Sequence, residues 1–224
     1  MKNLITFSLV AIFAFTSCIK DDFVLDTIDP ELRITTQVTH IEINTTFQFE
    51  TKYFNNVGQE EIVDALWTSA DPSIIEITDT GLANALSAGT TQLSVQYTNG
   101  DIDLTETIDV TVGEETVIVQ SNKSGTIAPS SFYELAGSFT IEATDNGILI
   151  DFANDYEAST ALPGLYVYLS NNANSIANAH EIAAVETFSG AHSYEIANVG
   201  LDDFQYLVYF CKPFNVKVGD GEIE

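Results

Sequence analysis

Between residues 92 and 112 apolar and polar side chains alternate in two runs on either side of Asn99-Gly100. Leu93, Val95 and Tyr97 alternate with Gln92, Ser94 and Gln96; Ile102, Leu104, Ile108, Val110 and Val112 alternate with Asp101, Asp103, Thr107, Asp109 and Thr111. Successive side chains of a strand point to opposite faces, so a period of two describes two half-buried strands and excludes a helix. Asn-Gly suits the tight turn between them, because both residues tolerate positive φ. Upstream, Ile41, Ile43, Phe47 and Phe49 hold odd positions against His40, Glu42, Asn44, Gln48 and Glu50. Downstream, Asp145-Asn146-Gly147 marks a second hairpin between residues 138–143 and 148–152. Residues 165–169 and 206–210 are apolar without alternation, as expected of strands covered on both faces. No segment sustains a helical period. The nearest is 174–185, where Ile176, Ala177, Ala179, Ala183 and Ala184 allow a helical turn or two. The chain reads as all-β.

The start of the chain sets the compartment. Met1-Lys2, an apolar run over residues 4–15 and then Thr16-Ser17-Cys18 form a secretory signal, too short to span a membrane as a mature helix. Small residues followed by Cys resemble the lipobox of bacterial lipoproteins. The resemblance implies removal of residues 1–17 and a covalent lipid on Cys18 that ties the protein to a membrane. Lys20-Asp21-Asp22 resembles the export signal that carries some Gram-negative lipoproteins to the outer face of the outer membrane. The expected location is therefore the cell outer membrane, lipid-anchored and surface-exposed.

Without residues 1–17 the chain keeps six Lys and Arg against 33 Asp and Glu. So acidic a chain is repelled by the phosphate backbone, which excludes nucleic acid as a partner. It also disfavours docking on anionic headgroups. Apolar residues at 45% and aromatics at 11% are nonetheless enough to fill real cores.

The chain divides into a tether over 18–31, a first domain over 32–113, a junction over 114–125 and a second domain over 126–224. In the junction, residues 116–119 finish a strand and 121–125 form a loop. In the first domain, Trp67-Thr68-Ser69-Ala70-Asp71-Pro72-Ser73-Ile74-Ile75-Glu76-Ile77 and its continuation from Gly81 to Thr91 resemble the group 2 bacterial immunoglobulin-like family. The resemblance implies a β-sandwich that serves as an adhesion module or spacer on cell surfaces, without catalysis. Trp67 fits a buried core anchor better than an exposed sugar-stacking platform.

The second domain resembles the DM13 family. The matching residues are Gly137-Ser138-Phe139-Thr140-Ile141, residues 165–170, residues 189–196 and above all Tyr206-Leu207-Val208-Tyr209-Phe210-Cys211-Lys212-Pro213-Phe214. Family membership implies an antiparallel β-sandwich or barrel and a proposed redox or electron-transfer role centred on its single Cys, here Cys211. Asp220-Gly221-Glu222 departs from the small or apolar residues expected near the end and puts the last strand in question.

Two cysteines remain, Cys18 and Cys211. If Cys18 carries lipid, Cys211 has no partner in the chain for a disulfide. A reactive Cys211 needs a nearby cation or backbone donors; His192 and Lys217 are the supporting candidates. The plainer alternative is a small buried hydrophobe, and for His192 a surface or capping residue. His40, His180 and His192 lie in separate segments with no ligand spacing, so no metal site is expected. Asp101 with Asp103, Asp145 with Asn146 and Asp202 with Asp203 are oxygen-rich but lack the order of a calcium loop. No nucleophile elbow, phosphate-binding loop or Cys-x-x-Cys occurs, and no cofactor is identified beyond the lipid. The expectation is a non-enzymatic envelope protein in which the immunoglobulin-like spacer presents the DM13-like domain. That domain would act either in redox through Cys211 or, alternatively, in adhesion or binding of a protein or glycan partner, with Cys211 structural.

Overall fold

The computed structural model describes residues 27–119 and 121–224. Cys18 and the tether residues before 27 lie outside the described residues. Eleven strands come first: β1 (Glu31–Ile34), β2 (Val38–Glu42), β3 (Thr46–Gln48), β4 (Thr51–Phe54), β5 (Glu60–Glu61), β6 (Leu66–Ser69), β7 (Ile75–Ile77), β8 (Leu82–Ala85), β9 (Gly89–Asn99), β10 (Ile102–Gly113) and β11 (Val117–Ile118). They form sheets ordered β11-β2-β10-β9-β6, β3-β8-β7 and β1-β4-β5. Side chains from all three sheets meet in one core, with Ile41, Trp67, Ile75, Leu93, Val95 and Val110 at its centre. This is a β-sandwich.

The long hairpin predicted from alternation forms. Asn99 pairs with Ile102, and Gly100 at φ 60 takes the first central position of the turn. Leu93, Val95, Val110 and Val112 are buried on one face. The upstream run behaves differently. Asn44 at φ 62 breaks it into β2 and β3, so Ile41 and Phe49 enter the core while Ile43 sits in the bend and is exposed. Trp67 is buried against Phe49, ring centres 5.5 Å apart. Gly81 at φ 86 is required here, since a Cβ would lie 2.6 Å from the Phe49 carbonyl and 3.0 Å from the Trp67 ring nitrogen.

Nine further strands follow: β12 (Lys123–Pro129), β13 (Leu135–Thr144), β14 (Gly147–Phe152), β15 (Glu157–Ala158), β16 (Leu165–Ser170), β17 (His180–Ala184), β18 (His192–Ala197), β19 (Tyr206–Cys211) and β20 (Val216–Glu222). They make one nearly closed antiparallel sheet, β17-β16-β19-β20-β12-β13-β14-β18, with β15 beside β13. The hairpin at 145–146 forms with Thr144 opposite Gly147. The two strands apolar on both faces, β16 and β19, pair with each other. Inside lie Val167, Leu169, Leu207, Tyr209 and Cys211; outside, Tyr168, Val208 and Phe210 are covered by Ile176 and Ala179. That cover is the segment where a helical turn was expected. It is instead a pair of turns leading into β17, with Asn178 in the left-handed region at φ 64. No α-helix occurs among the described residues.

The last strand continues through Asp220-Gly221-Glu222, opposite Val208, Leu207 and Tyr206. Gly221 is admitted because β12 passes close by: a Cβ there would lie 2.7 Å from the Thr126 carbonyl.

The register gives this barrel two distinct ends. Turns 145–146, 171–179 and 198–205 and the C-terminus lie at one end, and loops 130–134, 153–156, 159–164, 185–191 and 212–215 at the other. The first end faces the sandwich.

Candidate functional site

Cys211 ends β19, opposite Leu165 on one side and Val216 on the other. It is fully buried and faces the barrel interior with Leu207 and Tyr209, the two residues expected on its face. Lys217 does not reach it. Lys217 pairs in register with Phe210, which lies on the outer face, and its ammonium is held by Asp220. Lys212 is likewise committed outward, bonded to Glu181 and 3.8 Å above the Tyr166 ring. The supporting role expected of Lys217 is therefore corrected: alternation along β20 turns it to the wrong face.

His192 opens β18 and is neither a surface nor a capping residue. It is half-buried, stacked on Phe152 with ring centres 4.8 Å apart and planes 9° from parallel. Its Nδ1 lies 3.1 Å from the Gly190 carbonyl. Tyr156 packs edge-on at 4.4 Å from the His192 ring, and Tyr209 lies 6.3 Å from Tyr156. The aromatic series His192, Tyr156, Tyr209 thus runs from the partly exposed edge of β18 to the neighbour of Cys211 on β19.

This series is polar and poorly satisfied. Tyr156 and Tyr209 sense each other electrostatically, yet neither hydroxyl makes a hydrogen bond of regular geometry, and neither does His192 Nε2. Burial pushes the Tyr156 phenol up to about 12 and Tyr209 well above its ordinary range. Both phenols are therefore neutral near pH 7. Seven of the nine Tyr lie beyond residue 130, but nothing in the residue pattern shows that Tyr156, in a loop, folds under His192.

A second site lies where the two domains meet. Arg33 on β1 is held by both carboxylate oxygens of Glu31, at 3.1 and 2.8 Å. It donates to the Asp202 carbonyl and, at 3.4 Å, to Asn171 Oδ1. Lys52 on β4 bonds Asp203 at 2.7 Å and Glu60 at 3.2 Å. Lys123 bonds the Asp202 carboxylate at 2.8 Å. Of the five cationic side chains among the described residues, three converge on Asp202-Asp203. Burial pulls the Lys52 pKa down, but Asp203 and Glu60 outweigh it, so the net shift is upward. Two carboxylates considered as calcium ligands are thus neutralised by the protein's own cations. Among the described residues no three His, Cys, Asp or Glu side chains converge in a metal-binding group.

Beside these ion pairs the junction leaves an open cleft of about 820 Å³. Hydroxyls and amides such as Thr35, Gln48, Asn122 and Asn198 line it together with the apolar Ile118, Val199 and Leu201 and the charged Glu50, Lys52 and Asp203. His40 and His180 are exposed elsewhere, on β2 and β17. No family model matches the chain, and no curated protein matches it.

Proposed function

We propose that this chain is a lipid-anchored cell-envelope protein, attached through Cys18, that acts by binding and not by catalysis, with Cys211 part of its core. In this reading the sandwich is an immunoglobulin-like module and the barrel a DM13-like one. The observation that carries it is the burial of Cys211 among apolar side chains, with Lys217 and Lys212 both committed on the outer face. A thiol in exchange chemistry must be reached by its partner, and Cys211 is buried inside the barrel. The cleft, which mixes hydroxyls and amides with apolar side chains such as Ile118, Val199 and Leu201, suits a ligand with both hydrogen-bonding and apolar faces, such as a glycan.

Ile28 donates to the Asn56 carbonyl, and two residues on from Asn56, Gly58 packs on the Asn171 backbone of the barrel. Ile28, near the start of the described residues, therefore lies beside the junction, and on the lipoprotein reading the tether would join the protein there.

The test is alkylation of Cys211 in the mature protein, with intact-mass readout. The expected result is no reaction at neutral pH until denaturant is added. Fast reaction of the folded protein would overturn the reading in favour of a redox thiol. The anchor is tested separately: Cys18→Ala should lose both acyl mass and membrane association.

The redox alternative keeps one specific observation, the His192–Tyr156–Tyr209 series, which offers an aromatic route from the barrel edge towards Cys211. In that case Tyr209→Phe and Cys211→Ser would each abolish electron exchange with an external one-electron acceptor.

A further inference from the structure

Among the described residues, four buried side-chain nitrogen and oxygen atoms lack a hydrogen-bond partner, and three of them fall in one cluster: Tyr156 Oη, Tyr209 Oη and His192 Nε2. Buried polar atoms are nearly always paired, so three such atoms together point to a ligand. Tyr156 and Tyr209 are 1% and 0% exposed. Their hydroxyls are close enough to couple, and each also senses the Tyr194 phenol on β18.

The backbone positions the cluster. Gly190 N donates to the Tyr156 carbonyl at 2.9 Å, Ala158 N donates to the Phe188 carbonyl at 2.9 Å, and Glu157 bridges to Ser189. The loop bearing Tyr156 is thus laid along the segment that leads into His192. β13 packs directly on that loop: a Cβ on Gly137 would lie 2.8 Å from the Tyr156 Cα. Tyr209 is fixed within β19, opposite Val167 on one side and Gly219 on the other.

The atom types decide which ligand fits. A carbonyl only accepts, so His192 Nδ1, 3.1 Å from the Gly190 carbonyl, carries the ring proton and Nε2 presents a lone pair. A carbonyl on the other ring nitrogen is a common support for a metal-binding imidazole. Phenolate is a hard, anionic oxygen donor. Two phenolates with one imidazole bring two negative charges, which suits a hard trivalent ion better than a soft or divalent one. Burial keeps both phenols neutral in the free protein, and a trivalent charge beside them is what reverses that preference. His192 is half-buried on β18, the last strand of the sheet, and gives the ion a way in.

We propose that Tyr156 Oη, Tyr209 Oη and His192 Nε2 bind a ferric ion. Two Fe–O bonds and one Fe–N bond form, both phenol O–H bonds break, and the two protons leave to solvent. The iron stays ferric, so no electron is transferred. Water takes the remaining coordination positions. The site is separate from the cleft and does not depend on the anchor.

The experiment uses the mature protein, stripped of metal with a chelator and then given ferric nitrilotriacetate. The expected result is one iron per chain with a visible phenolate-to-iron charge-transfer band. Tyr156→Phe, Tyr209→Phe and His192→Gln should each weaken iron binding by at least about tenfold, and the two Phe variants should also lose band intensity. Tyr133→Phe, on an exposed loop, should leave both readouts unchanged. Tyr156→Phe removes only an unpartnered oxygen, and an unchanged urea midpoint verifies that it is folded. Iron bound without the band, or a band that survives in both Phe variants, overturns the proposal and puts the metal elsewhere. Zinc that displaces the iron at equal concentration also overturns it, since the site would not need a trivalent ion. No iron binding overturns it and leaves the three atoms to an internal water.

Discussion

Lys52 and Asp203, 151 residues apart in sequence, meet at 2.7 Å across the junction of the two domains. Around this pair Arg33 and Lys123 bind the neighbouring Asp202. In a chain so short of cations, their concentration at one loop locks two acidic bodies together that would otherwise repel.

Breaking that pair should loosen the junction without unfolding either core. Lys52→Met is expected to cost about 1 kcal/mol or less, since both side chains are partly exposed and screened. It should raise the radius of gyration measured by small-angle scattering. The folded pKa of Lys52 lies above its ordinary value of 10.5. Its contribution is therefore complete below pH 10.5 and is lost as pH rises through the folded value. Expansion that appears only above that pH, and not in Lys52→Met, is the expected signature.

Gly58 and Gly100 separate strain from contact. Both have positive φ, at 76 and 60. A Cβ on Gly100 meets nothing within 4 Å, whereas one on Gly58 lies 2.9 Å from the Asn171 carbonyl carbon and 3.1 Å from the Asn172 nitrogen. Gly100→Ala should cost only the left-handed strain, about 1–2 kcal/mol. Gly58→Ala should cost more and also part the domains, visible as faster proteolysis between residues 119 and 123. Equal effects in denaturant melts and proteolysis would show that Gly58 does not hold the junction.

The buried phenols predict an alkaline instability. Tyr156 ionises near 12 in the folded protein against 10.0 for a free phenol, chiefly because burial disfavours the phenolate. Above pH 10 the unfolded chain releases this proton and the folded one does not, so stability falls as pH rises from 10 to 12. Tyr156→Phe should flatten that fall. Because the hydroxyl lacks a regular hydrogen bond, the same variant should be neutral or more stable by up to about 1 kcal/mol at pH 7. Urea melts at pH 7 and pH 11 measure both effects.

Cys211→Ser places a hydroxyl where only apolar side chains and the Tyr209 ring surround it. The expected loss is about 1–3 kcal/mol, read as a lower urea midpoint with unchanged slope. A Cys211→Ser protein as stable as the parent would mean that the thiol site is wetter than its burial implies.

The sequence by itself determined the strand content, the hairpins at Asn99-Gly100 and 145–146, the two-sided burial of β16 and β19, and Trp67 as a core residue. These are local matters: a period of two assigns faces, and turn chemistry assigns reversals. Where local pattern was insufficient, it failed for physical reasons. The odd-position alternation before Phe49 ran through a left-handed Asn44 that the pattern does not see, and the Ala-rich run at 174–185 was drawn into the sheet by pairing of β17 with β16. What only the tertiary structure decided is how distant segments meet. Cys211 was visible as a candidate, but its isolation from Lys217 depends on the bulged register between β19 and β20. Tyr156 under His192 and Asp203 against Lys52 follow from the curling of the sheet into a nearly closed barrel and from domain docking. Those contacts are set by the order of strands around the sheet, which residue spacing along the chain does not encode.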